Sequence, residues 1–178
     1  MPTAATLPRP EARPSAASVP NDFGVKYGMA AYIGAKEVSG QKIFTFRWTD
    51  ETEDRDGEVL TSDGWILEHF ERNPVVLDCH PEIRGWEQGI ESILGHCLLP
   101  LRREGTTWEV DIVFSQSPKG RIAEQLVEEG SLRAVSAGYM PLKKERTPGQ
   151  PTRVVQKELW EISMAPVPSN RNTLRVRA

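Results

Sequence analysis

The chain has 178 residues, 38% of them hydrophobic, which is about the length of one domain around one core. Its 22 Lys and Arg against 25 Asp and Glu provide no basic field for phosphate backbones, which argues against direct nucleic-acid binding. No apolar run approaches the roughly 20 residues of a bilayer span, the N-terminal segment lacks the apolar stretch of a signal peptide, and two cysteines are too few for a disulfide scaffold, so a soluble, unexported protein of a reducing compartment, without a membrane partner, is expected.

Residues 1–22 consist largely of Ala, Pro, Ser, Thr and Arg without periodic apolar positions, and are expected to form a flexible arm. From Phe23 the composition changes to short β-branched and aromatic runs separated by Gly, Pro and charged turns, the pattern of a mostly β domain. Strands are expected over 25–34, 42–49, 74–80, 92–102, 106–115, 133–145 and 152–165, and seven strands suffice to close a barrel. Two helices interrupt them. TSDGWILEHFERNP predicts a helix over about 63–72, with Ser62 or Asp63 as cap and Pro74 as stop. SPKGRIAEQLVEEGS predicts a second, with Ser117 as cap, Pro118 in the first turn, an apolar stripe of Ile122, Ala123, Leu126 and Val127, and Gly130 at the end. The domain is expected over 23–174, followed by a loose tail at 175–178.

Three histidines occur. His69 falls within the first expected helix beside Glu68, on a solvated face. His80 ends the run PVVLDCH and precedes Pro81, so a buried strand delivers the imidazole to a point where the chain must turn. Loops fixed by a rigid scaffold commonly hold catalytic groups, although a strand-end histidine is also a common structural residue. In SLRAVSAGYMP, the small residues Ala134, Ser136 and Gly138 alternate with Val135, Ala137 and Tyr139. Ser136 therefore lies on a strand face cleared of bulk, open to a peptide carbonyl or to close packing by another element. KELWEISMAPVPSN carries Glu158 and Glu161 in an apolar surround. Three apart on a regular strand, they face opposite sides, and the inward one needs a partner such as a histidine poised against a serine. Glu161 is the choice over Glu158. The bland alternative is a surface ion pair with Lys143, Lys144 or Arg153. Cys79, His80, His96 and Cys97 offer zinc-type ligands, but adjacent strand residues point to opposite faces and no Cys-x-x-Cys spacing is present. No metal is therefore expected.

Taken in order, DRDGEVL at 54–60, GW at 64–65, NPVVLDCH at 73–80, SLRAVSAGYMP at 131–141 and ELWEISMAPVPSN at 158–170 resemble the prohead protease family of tailed bacteriophages, over about residues 41–174. The resemblance implies a herpesvirus-assemblin-like α+β fold, mainly β, with a closed barrel ringed by a few helices. It also implies a serine endopeptidase in which Ser136 is the nucleophile, His80 the general base, and Glu161, or alternatively Glu158, the residue that orients the histidine. Backbone N–H groups around Ser169, Asn170 and Arg171 are the candidate oxyanion donors. No cofactor is implied. The implied partners are the major capsid protein precursor and its scaffolding segment as peptide substrates, the chain itself by self-cleavage, and other copies inside the prohead. The implied setting is the assembling prohead in the host bacterial cytoplasm. WTDETEDRDG and DCHPE depart from the usual lead-ins of the family, which bears on the wall of the substrate cleft rather than on the triad.

Overall fold

The computed structural model describes residues 26–38 (main chain), 41–80 and 89–170; the expected arm at 1–22 and tail at 175–178 lie outside them. The architecture is mostly β, as expected. The strands are β1 (Lys26–Val38), β2 (Gln41–Thr49), β3 (Glu58–Leu60), β4 (Trp65–Ile66), β5 (Val75–Asp78), β6 (Ile93–Glu104), β7 (Thr107–Phe114), β8 (Ala134–Glu145) and β9 (Thr152–Met164), and the helices are α1 (Glu68–Arg72) and α2 (Pro118–Glu128). All nine strands form one curled sheet in the order β3-β9-β5-β6-β7-β2-β1-β8, with β4 also on β9 and β8 pairing again with β9. β3, β4 and β5 run parallel to β9, and the other pairs are antiparallel.

The core packs against one face of the sheet. Phe44, Phe46 and Trp48 of β2, Val110 and Ile112 of β7, Val135 and Ala137 of β8, and Ile162 and Met164 of β9 pack there with Ala123 and Val127 of α2. Burying each of the larger of these side chains stabilises the fold by roughly 1.5–3 kcal/mol, and β-branched and aromatic residues fit the half-buried pleat. A second aromatic group packs edge to face around Trp65, whose ring centroid lies 4.8 Å from Trp48 and 5.8 Å from Tyr139.

α2 forms as its sequence predicts: Ser117 Oγ accepts from the Gly120 N–H, Pro118 opens the helix, and Gly130 ends it at φ 80°. Of the expected apolar stripe, Ala123 and Val127 are buried while Ile122 is 58% exposed. The first helix is a correction. It begins at Glu68 rather than near 63, and Leu67 occupies the cap position without a side-chain bond. Trp65 and Ile66 pair instead with Lys157 and Glu158 of β9. The backbone bonds of that pairing and the Trp65 ring contacts outweigh the weak helical propensity of a five-residue piece.

Lys157 anchors this region. Its side chain is fully buried. Nζ donates to the Thr61 and Asp63 carbonyls, to Thr61 Oγ1 and to the Val154 carbonyl, and it stands 4.8 Å from the Trp65 ring centroid. Burial pushes its ammonium down to about 8. The DRDG segment makes a second brace. Asp54 Oδ1 accepts from the N–H groups of Asp56 and Glu58, the Arg55 N–H donates to the Ser169 carbonyl, and Arg55 Nε donates to the Pro168 carbonyl. The turn after β9 is thereby tied to the loop before β3.

Candidate active site

β8 and β9 lie side by side with Ser136 opposite Ser163 and Gly138 opposite Glu161. Residues directly opposite in an antiparallel pair point to the same face, as do positions two apart, so these four share one face. Val135, Ala137, Ile162 and Met164 occupy the other, in the core. On its second side, Ser136 pairs with Met29 of β1, so the serine stands on a strand flanked by partners along both edges.

Glu161 reaches this face through a bulge. Tyr139 pairs with Leu159 and Gly138 with Glu161, leaving Trp160 as an extra residue on β9. Leu159 and Ile162 are three apart and both belong to the core cluster, which a regular strand with its period of two does not permit. Trp160, 38% exposed, takes up the phase change. Bulges beside active sites commonly re-aim a side chain in this way. The expectation that Glu158 and Glu161 face opposite sides held only for a regular strand; with the bulge, both lie off the core side.

His80 arrives from β5. Val76, Leu77 and Asp78 run parallel to Ile162, Ser163 and Met164, and the Cys79 N–H still bonds the Met164 carbonyl. The chain then leaves the ladder through two consecutive left-handed residues, Cys79 at φ 50° and His80 at φ 51°. Such conformations in residues with a Cβ cost of order 1–3 kcal/mol each and concentrate at functional sites. Here they fold the imidazole back over β9, where His80 Nδ1 lies 2.5 Å from Glu161 Oε1. The His80 N–H donates to Ser163 Oγ at 3.1 Å, and Ser163 Oγ donates to Glu161 Oε2 at 2.5 Å. His80 and Glu161 are 7% and 4% exposed, so the pair is shielded from solvent. A carboxylate on Nδ1 makes that nitrogen the protonated one and leaves basic character on Nε2.

The structure therefore brings together His80 and Glu161 and sets Ser136 across from Ser163. Ser136 is 2% exposed. Glu158 lies elsewhere: its Oε1 is 2.7 Å from Nδ1 of His69, whose side chain is 67% exposed. The cations considered for a surface pair go to other carboxylates, Lys143 to Glu145, Lys144 to Glu58 and Arg153 to Glu51. Ser169 Oγ donates to Asp56 Oδ2 and Asn170 Nδ2 to Asp50 Oδ1, so both side chains hold the turn; Arg171 lies outside the described residues.

The four residues weighed as zinc ligands separate. Cys97 is in the core, its thiol pushed up by burial and then by the Glu161 charge, while its neighbour His96 is exposed. Cys79 is partly buried and lines an apolar pocket of about 340 Å³ with Leu94, Leu126, Leu132 and Met164. No group of three or more His, Cys, Asp or Glu among the described residues is placed to hold a metal ion.

Ser163 was missed from the sequence, although it is a small polar residue two positions beyond Glu161 in an apolar run, which places it on the same face. Gly138 was read as clearance for a substrate. Its bare Cα is instead covered by Glu161, whose Cγ and Cδ would both stand 2.9 Å from an added Cβ, with Oε1 closer still.

Residues 92–178 match a family model described as caudovirus prohead serine protease, and the resemblance seen in the sequence is thus shown over that span. The span includes Ser136, Glu161 and Ser163 and begins after His80. No curated protein and no solved structure matches the chain.

Proposed function

From its similarity to the caudovirus prohead serine proteases, we propose that this chain is a serine endopeptidase of capsid maturation, with Ser136 as nucleophile, His80 as general base and Glu161 as the group that orients the base. The observation that carries the reading is the buried His80–Glu161 bond at 2.5 Å, built from two left-handed residues on one strand and a bulge on another, on the face that bears Ser136. Strained geometry and a buried carboxylate–imidazole hydrogen bond are worth their energetic cost where a site is being pre-organised.

In this reading His80 Nε2 takes the proton of Ser136 Oγ as the hydroxyl attacks a peptide carbonyl. The tetrahedral adduct collapses to an acyl-enzyme, and the same nitrogen returns the proton to the leaving amine. Glu161 keeps the ring in the required tautomer and stabilises the imidazolium. The oxyanion donors are assigned to the backbone of the 166–170 turn. That assignment is supported by the DRDG brace and by the Ala165 N–H, which bonds the Ala134 carbonyl two residues before Ser136.

The substrates are extended segments of polypeptide: the scaffolding part of the major capsid protein precursor and the terminal segments of the chain itself, processed inside proheads assembling in the host bacterial cytoplasm. Among the described residues no helix is long and apolar enough to cross a membrane. The ring of pairings from β9 through β5, β6, β7, β2, β1 and β8 back to β9 supports the closed seven-stranded barrel that the resemblance implied.

The test is intact-mass spectrometry of the full wild-type chain and the Ser136→Ala variant, incubated at high concentration with a crowding salt. Truncation confined to the wild type is the expected result. Equal truncation in both removes Ser136 as nucleophile, and two intact chains that also leave a capsid precursor uncut favour a non-catalytic assembly factor.

A further inference from the structure

We propose that Ser163 is a positioning residue that aligns His80 and Glu161 together, an inference that rests on the protease reading above. Three bonds close a ring. Glu161 Oε1 lies 2.5 Å from His80 Nδ1, Glu161 Oε2 accepts from Ser163 Oγ at 2.5 Å, and Ser163 Oγ accepts from the His80 N–H at 3.1 Å. A hydroxyl is suited to this place because it carries one donor and two acceptor sites, so it can serve a carboxylate and an amide at once. Ala at this position leaves the second carboxylate oxygen and the His80 N–H without these bonds.

Each bond has a separate consequence. The bond to Oε2 fixes the rotation of the carboxylate, so that Oε1 stays in line with Nδ1. The bond from the His80 N–H holds the main chain at φ 51°, in the left-handed region that residues with a Cβ rarely adopt. Ser163 is fully buried and directly opposite Ser136, so it connects the base, the carboxylate and the strand position of the nucleophile without being exposed to a substrate. As a nucleophile Ser163 is poorly placed, because its proton is directed at a carboxylate rather than at the imidazole.

The test uses the full chain and a fluorophosphonate probe. The serine oxygen forms a bond to phosphorus, fluoride leaves, and the hydroxyl proton passes to the base, so the rate reports activation of the serine without requiring a known substrate. Labelling of position 136 is followed by mass from pH 5 to 9 for wild type, Ser163→Ala and Ser163→Thr, with folding checked by urea denaturation. For Ser163→Ala the expected result is labelling about 10- to 100-fold slower, the range found when the hydrogen-bond partner that orients a metal-binding side chain is removed. The midpoint of the pH profile should also move up, because a carboxylate relieved of one donor holds the imidazolium proton more tightly. Ser163→Thr restores both rate and midpoint; should Thr not fold, Ser163→Cys, nearly the same size with a weak donor, is expected to fall between Ala and wild type. Wild-type behaviour in Ser163→Ala overturns the proposal. So does slower labelling at an unmoved midpoint, which is what a purely structural role produces. A wild-type chain that takes no label at Ser136, or a Ser136→Ala variant labelled at the wild-type rate, defeats the protease reading itself.

Discussion

Gly138 and Glu161 face one another across β8 and β9, and the carboxylate side chain lies directly on the glycine, with no room between them for a methyl group. The small residue on this face is therefore the seat of the carboxylate that holds His80. Gly138→Ala is expected to push Glu161 out of line and to slow fluorophosphonate labelling of Ser136 at least about tenfold, since small misplacements of catalytic groups are costly. The same change should lower stability in urea by about 1–3 kcal/mol, as overpacking of a closed site does. Labelling at the wild-type rate would mean that the carboxylate position does not matter.

Two carboxylates competed for one role in the sequence, and the structure gives them different partners, His80 for Glu161 and His69 for Glu158. Glu161→Gln is expected to reduce turnover by on the order of 10²- to 10⁴-fold, because a neutral amide neither fixes the imidazole tautomer nor stabilises the imidazolium. Glu158→Gln should stay within about twofold of wild type, given a largely exposed partner and the small value of such pairs. Labelling rates of the two variants, measured in parallel, decide between them.

Lys157 provides a pH dependence of stability with a definite sign. Burial holds its ammonium down to about 8, whereas an unfolded chain keeps that proton up to roughly 10.4. Between those values the unfolded state binds more protons than the folded one, so stability rises as pH increases through that window. Urea midpoints at pH 7.5, 8.5 and 9.5 should show this rise in the wild type, and Lys157→Met should lack it. The variant should also be less stable by at least about 1–3 kcal/mol at neutral pH, since the Thr61 and Asp63 carbonyls lose their shared donor.

The second helix was legible because each of its signals is local: Ser117, Pro118 and Gly130 act within one turn of their own position. β7 was legible from its β-branched and aromatic run. Trp65 was misread because it falls between a helix cap signal at Ser62 or Asp63 and a stop at Pro74, while its actual contacts with Lys157, Trp48 and Tyr139 come from distant segments. β3, three residues long, was not anticipated; it exists through parallel pairing with β9, which no local pattern announces.

At the candidate site, His80, Ser136 and Glu161 were chosen from sequence, but the means by which His80 meets Glu161 was hidden. No Gly or Asn marks the left-handed turn at Cys79 and His80, and no gap in LWEIS marks the bulge at Trp160. Both are imposed by tertiary pairing, the first by the bonds to Ser163 and Glu161 and the second by the need to bury Leu159 and Ile162 on one side.

The most direct test of the central claim is the location of the fluorophosphonate adduct. The full wild-type chain, concentrated with a crowding salt, is treated with the probe, digested and mapped by tandem mass spectrometry. A single adduct on Ser136, absent from His80→Ala at equal exposure, is the predicted result. An adduct on Ser163 or another serine, or labelling of Ser136 that persists at full rate without His80, would contradict it.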